Sequence, residues 1–309
     1  MIKKQILKEV FMEHTFRKIS TVFFFILLFL QFATAQIKTE PNSSTFNTIL
    51  FKVTSPDHAH VSYLFGTHHA FGKPFFDSLT KANEALTSCN LLIKENLNIP
   101  GKMAEDIINK RPILTKWKKY LNTKDLAFIK TLFATSPTDF NKMTPTELYV
   151  FLNRYFKQHL CLNKTTDDVS LSLDDYIGSK ATKQAMQLYG LETTEEQIDL
   201  INKDVEGMPK RTHQRRLSNI ISRIRTGNVA SCEETTWYSQ MEIDYQLNAP
   251  CRNALMLTNR NASWMTVLND LLEKENCFVA VGLSHLMYEC GLINQLKELG
   301  YSVLPIEVN

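Results

Sequence analysis

Apolar positions change period several times along the chain, and each change predicts an element. Ile49 to Val53 and Val61 to Phe65 are short apolar runs separated by Ser55-Pro56-Asp57-His58, which predicts a hairpin with a longer loop. Phe75 to Ser88 carries apolar residues at helical spacing, and Leu91-Leu92-Ile93 reads as a buried strand. Strand, loop, helix and strand in that order predict a βαβ unit with a right-handed crossover. The same order returns later: Phe278-Val279-Ala280-Val281, the loop Gly282-Leu283-Ser284-His285, a helix over Glu289 to Leu299 stopped by Gly300, and a strand over Tyr301 to Ile306. A weak internal duplication accounts for both.

The long middle is helical in pattern. Thr144-Pro145-Thr146-Glu147 supplies a cap, a first-turn proline and a capping-box glutamate ahead of Leu148, Phe151, Leu152, Tyr155 and Phe156 on one face. Thr194-Glu195-Glu196-Gln197 reads as a second capping box, just after the strand-like Ala185 to Leu191. Lys210, Arg211, Arg215, Arg216, Arg223 and Arg225 interleave with Leu217, Ile220, Ile221 and Ile224, so they read as the solvated face of an amphipathic helix. No linker interrupts the chain from residue 48 to 309. The expectation is one α/β domain with a mixed, mainly parallel sheet made from two βαβ units, each with a strand-end Gly-x-x-His loop. A large helical insertion occupies about residues 100–260.

Ahead of this domain, residues 36–47 form a polar tether, and Thr21 to Phe32 is almost wholly apolar, with Lys3, Lys4, Lys8, Arg17 and Lys18 before it and Ala33-Thr34-Ala35 after it. That pattern predicts a signal peptide over residues 1–35, starting at Met1 or Met12 and cleaved near Ala35-Gln36, and so export to a periplasm or the outside. The run falls short of the ~20 apolar residues of a spanning helix, and no later segment reaches that length, so no permanent membrane span is expected. The leader holds five of the 35 basic and two of the 32 acidic residues, which leaves the remainder neutral. Nucleic acid is therefore not an expected partner. Six cysteines are too few and too scattered for a disulfide scaffold, and no C-x-x-C pair suggests zinc. Cys89 and Cys277 open apolar strands and read as core; Cys232 and Cys251, in polar surroundings, are the expected bridge after export.

Chemistry concentrates where Gly-x-x-His follows a buried strand, at Gly66-Thr67-His68-His69 and Gly282-Leu283-Ser284-His285. Carboxyl ends of parallel strands face the crevice where such sheets bind ligands, so His69 and His285 can share one cleft. Glu95 ends the partner strand of the first unit, and two imidazoles with a carboxylate suit a first-row divalent metal with a position left for water. His68 neighbours His69 along an extended segment and should point away from the cleft. His58, His60, His159 and His213 are expected in solvent.

Tyr63-Leu64-Phe65-Gly66-Thr67-His68-His69 and Leu92-Ile93-Lys94-Glu95 resemble the opening of the TraB/GumN family, which includes the Tiki and pheromone-shutdown proteins. The likeness continues through Ser172-Leu173-Asp174-Asp175-Tyr176-Ile177, Gly190-Leu191-Glu192-Thr193-Thr194-Glu195-Glu196-Gln197, Asn259-Arg260-Asn261-Ala262-Ser263-Trp264 and Val279-Ala280-Val281-Gly282-Leu283-Ser284-His285-Leu286. Ser172 replaces the family's usual glycine, and Lys94 sets a cation beside Glu95. The resemblance implies a fold shared with erythromycin esterases and a haem-binding lipoprotein, and a metal-dependent hydrolase, since Tiki members are proteases that need manganese or cobalt. It implies His69, Glu95 and His285 as the central, metal-holding residues, with Arg260 and Glu192 as supporting or substrate-polarising groups. Manganese, cobalt or zinc is the expected metal and a peptide, protein or small ester the expected substrate. The alternative is an envelope protein that binds haem, metal or peptide without turnover.

Overall fold

The apolar runs assemble into a six-stranded sheet. The computed structural model describes residues 45–57, 59–165 and 171–309. The leader, the first part of the tether and His58 lie outside the described residues. Strands are β1 (Thr45–Phe46), β2 (Leu50–Thr54), β3 (Val61–Thr67), β4 (Leu91–Lys94), β5 (Gln187–Gly190), β6 (Ile243–Asp244), β7 (Cys277–Gly282) and β8 (Ser302–Ile306). Helices are α1 (Lys73–Ser78), α2 (Thr80–Thr87), α3 (Ala104–Asn109), α4 (Thr123–Leu132), α5 (Pro145–Phe156), α6 (Leu173–Lys183), α7 (Thr194–Lys203), α8 (Lys210–Thr226), α9 (Glu233–Ser239), α10 (Asn259–Leu272) and α11 (Leu292–Glu298).

The main sheet has the order β5-β4-β7-β3-β2-β8, while β1 and β6 pair separately. β5, β4, β7 and β3 are parallel, and β2 is antiparallel to both its neighbours, β3 and β8. The hairpin thus forms as the sequence predicts, but the two βαβ units are interleaved. β7 inserts between β3 and β4, and β8 lies beyond β2, separated from β7 by the two strands β3 and β2. The physical reason is burial: Cys277, Phe278, Val279, Ala280 and Val281 are almost wholly enclosed, so the most apolar strand takes a central place. Enclosing one side chain such as Phe278 contributes roughly 1.5–3 kcal/mol.

Several elements differ from the sequence reading. The helix expected over Phe75 to Ser88 is broken at Leu79 into α1 and α2, and the second capping box starts one residue earlier, with Thr193 as cap and Glu196 as its partner. Within the helical middle the strand-like run Ala185 to Leu191 does form a strand, β5, which joins the sheet edge, and α6 packs on it. A second apolar cluster unites α5 and α8 through Leu148, Leu152, Leu217 and Ile221. The basic residues of α8 lie largely outside it: Arg216 packs on the Tyr149 ring at 4.1 Å and Arg225 reaches Asp125 at 3.4 Å. His60, His159 and His213 are half-buried rather than exposed; His159 packs on Tyr155 and His213 on Tyr120. Among the described residues no helix is long and apolar enough to cross a membrane.

The expected Cys232–Cys251 bridge does not form. Cys161 pairs with Cys232 and Cys251 with Cys290, while Cys89 and Cys277 are free and buried. α9 and β6 separate Cys232 from Cys251: Cys232 is left against the helical cluster, and Glu289 N–H bonds to Ala249 O at 3.0 Å beside Cys251. Peptide mapping without reduction should recover these two pairs and no Cys232–Cys251 peptide. Serine replacement of either pair should cost about 2–4 kcal/mol of stability; free thiols at all four positions would contradict the pairing.

Candidate active site

Three parallel strands end side by side. Thr67 at the end of β3 is in register with Gly282 at the end of β7, and Lys94 at the end of β4 with Ala280. The segments that follow therefore emerge at one edge of the sheet, where α/β folds place their ligands. The approach is close: a Cβ on Gly66 would lie 2.6 Å from Leu283 Cδ1, and one on Gly282 would lie 3.0 Å from Glu95 Oε1. Both glycines make room for the neighbouring strand end.

Glu95 follows β4 and accepts three hydrogen bonds. Gly282 N–H donates to Oε1 at 2.7 Å, and Gln197 Nε2 and Arg260 Nη2 donate to Oε2 at 3.0 Å each. Glu192 lies two residues beyond β5, where its N–H donates to Glu95 O at 2.8 Å. Its carboxylate takes a two-pronged bond from Arg260, Nε to Oε1 at 2.7 Å and Nη2 to Oε2 at 2.8 Å, and a third from Trp264 Nε1 at 2.8 Å. Arg260 and Trp264 are one turn apart on α10. The Trp264 ring lies 4.7 Å from the guanidinium and 4.3 Å from the His285 ring.

His285 closes the turn after β7 and is 3% exposed. Asn261 Nδ2 donates to the carbonyls of His285 and Cys290, at 3.2 and 2.8 Å, so its Oδ1 is the acceptor facing His285 Nδ1 at 2.6 Å. These partners assign the proton to Nδ1 and leave Nε2 to accept from Arg260 Nη1 at 2.9 Å. The same Nη1 donates to Met256 O at 3.3 Å, so every arm of the guanidinium is engaged.

His69 and His68 point apart. The His69 side chain is 59% exposed and meets Asp174 Oδ2 through Nδ1 at 2.7 Å; the Thr67 hydroxyl donates to Asp174 Oδ1 at 2.5 Å. His68 turns inward onto Phe71 and Tyr238 and bonds to Glu234 at 3.2 Å. Asp174 lies in the first turn of α6, whose cap Ser172 bridges back to Gly72 beside the histidine loop. The serine that departs from the family pattern accordingly caps α6, accepting from Asp175 N–H.

The two imidazoles have opposite electrostatics. Asp174 beside His69 raises its pKa to about 9, with Glu95 adding to the rise and Arg154 opposing it. Burial lowers His285 to about 4, and Arg260 adds to the fall while Glu95 opposes it. Burial works against the charges of Asp174 and Glu95 too. His69 and Thr67 nevertheless hold Asp174 well below the carboxylate range, and His285, Arg260, His69 and the Gly282 N–H lower Glu95 from its ordinary value.

Two distant titrations should follow, one near pH 9 and one near pH 4, in nitrogen NMR of the imidazoles. The raised pKa of His69 stabilises the fold fully below its unfolded value of about 6.5, and that contribution is lost as pH rises through about 9. The lowered pKa of His285 gives stability present above about 6.5 and lost as pH falls toward 4. Both rings titrating together near 6.5 would contradict this geometry.

The donor set has the chemistry of a divalent-metal site. His69, Glu95 and His285 supply two imidazoles and a carboxylate, and each Nδ1 is oriented by an oxygen of Asp174 or Asn261, the usual support of a ligating imidazole. Nε2 of each ring is then the nitrogen a metal would meet. Among the described residues, however, no group of three or more His, Cys, Asp or Glu is already set around a common point. Arg260 bonds to both His285 Nε2 and Glu95. Asp174, Asn261, Trp264 and Gln197 have no assigned role in the sequence reading; their only signal there is position within the resembling segments.

A family model described as the TraB/PrgY/gumN family matches residues 49–305. No curated protein and no solved structure matches the chain.

Proposed function

Because this chain belongs to the TraB/PrgY/gumN family, with two imidazoles and a carboxylate gathered at adjacent strand ends, we propose that it is a hydrolase of an amide or ester bond that uses a divalent metal. The observation that carries this reading is the support of the donors: His69 by Asp174, His285 by Asn261, and Glu95 by Gly282, Gln197 and Arg260. Such orientation is what a pre-organised site needs. His69, Glu95 and His285 would hold the metal, with manganese, cobalt or zinc as the candidates. Bound there, a metal would polarise a carbonyl and acidify a water.

The chain's own groups divide the remaining work. Glu95 carries the negative charge and basic oxygens suited to take a proton from water. Asp174 fixes the His69 ring and Asn261 the His285 ring. Arg260 would offer a guanidinium N–H to a developing oxyanion once the group swings away from His285. A peptide, a protein or a small ester is the proposed substrate. The leader pattern and the two disulfides, which belong to oxidising compartments, support action after export to a periplasm or the outside.

Protein purified without chelator should contain about one manganese, cobalt or zinc ion per chain by elemental mass spectrometry, and binding should release a proton and strengthen toward pH 9 as His69 loses its proton. Protein that stays free of metal across that pH range under saturating manganese, cobalt or zinc would contradict the reading.

A further inference from the structure

We propose that Arg260 is a resident cation that closes His285 Nε2 and Glu95 to a metal, so that metal entry requires its guanidinium to withdraw. This inference rests on the metal-dependent reading above. Its geometric basis is that Arg260 bridges the two groups in question: Nη1 lies 2.9 Å from His285 Nε2 and Nη2 lies 3.0 Å from Glu95 Oε2. The third approach, His285 Nε2 to Glu95 Oε1, is 3.8 Å. With Nδ1 committed to Asn261, Nε2 carries the only lone pair the His285 ring can give a metal, and that lone pair accepts from Arg260. One nitrogen cannot accept a hydrogen bond and ligate through the same lone pair.

The guanidinium is a rigid plane, so its remaining contacts hold or yield with it as a unit. Nε and Nη2 are tied to Glu192 at 2.7 and 2.8 Å, and Glu192 is itself held by Trp264. Among the described residues Nη1 meets His285 and, at the longer 3.3 Å, Met256 O. Met256 lies in the π-helical turn Ala254–Thr258, which leads directly into α10. Single π turns often mark functional positions in helices. Nη1 therefore leaves His285 only when the whole guanidinium swings, which also loosens its two-pronged bond to Glu192. A metal then meets both a lost hydrogen bond and a neighbouring positive charge, and its apparent affinity falls by the fraction of sites that Arg260 keeps closed.

The test is cobalt(II) titration, followed by calorimetry and by the visible absorption of the bound ion, on wild type, Arg260→Met and the double variant Glu192→Gln/Arg260→Met. The double variant removes one charge of each sign, so it frees Nε2 without changing the net charge; removing both partners also avoids leaving Glu192 as a buried unpaired charge. Both variants should bind cobalt at least about 10-fold tighter than wild type, the scale on which groups around a metal site alter affinity. Should Arg260→Met fail to fold, the double variant alone decides. The proposal is overturned if wild type binds cobalt and the double variant binds it no tighter, even where Arg260→Met gains affinity, because the gain would then come from net charge alone. If no chain binds cobalt, the metal-dependent reading fails and takes this inference with it.

Discussion

Glu95→Gln is expected to lower turnover by roughly 100-fold or more, the usual scale for loss of a general base. The substitution keeps the size of the side chain but removes its charge and a basic oxygen. All three groups around Glu95 (the Gly282 N–H, Gln197 Nε2 and Arg260 Nη2) are donors. A glutamine must turn its own N–H₂ toward one of them, at a cost of about 1–3 kcal/mol for the unpaired donors. Turnover and metal content measured on the same preparation separate two roles. If Glu95 acts mainly as base, metal is retained while turnover falls; if it is mainly a ligand, both fall together. Retention of activity within a few-fold would remove Glu95 from the chemistry.

His69→Ala and His285→Ala should each leave the protein without stoichiometric metal, yet differ in stability. His69 is 59% exposed and its contact with Asp174 is open to solvent, so its loss should cost within about 1 kcal/mol. His285 is 3% exposed and stacks on Trp264. Its removal leaves Asn261 Oδ1 and Arg260 Nη1 each short of a partner and opens a small cavity, for a cost of about 2–4 kcal/mol. Being placed after a strand does not make His285 structurally silent, because its turn folds back under α10. Elemental analysis and thermal melting check both halves of this expectation. Full metal content in either variant would show that the two histidines do not share a site.

The sequence makes the strand ends legible because the relevant signals are local. An apolar run, a glycine and a histidine three residues on are contiguous, and the direction of the strands puts such residues at one edge of the sheet. The insertion of β7 between β3 and β4 is not legible, since strand pairing depends on which runs are buried most deeply across the whole chain. Asp174 is likewise hidden: its role depends on the Gly72 to Ser172 bridge that brings the start of α6 to the histidine loop. Cys232 and Cys251 share polar surroundings and a short separation. What decides their partners is the course of α9 and β6 between them, which no local feature records. The position of Arg260 among the candidate residues follows from family resemblance, but its hold on His285 is a three-dimensional fact.

The most direct test of the proposed activity is a panel of peptides and esters offered to wild type and Glu95→Gln, with manganese, cobalt or zinc and with chelator. The account predicts hydrolysis by wild type that needs the metal, stops with chelator and is at least about 100-fold weaker in Glu95→Gln. A panel that stays blank under every metal, while haem binds stoichiometrically through His69 or His285, would contradict it and mark the protein as a binder.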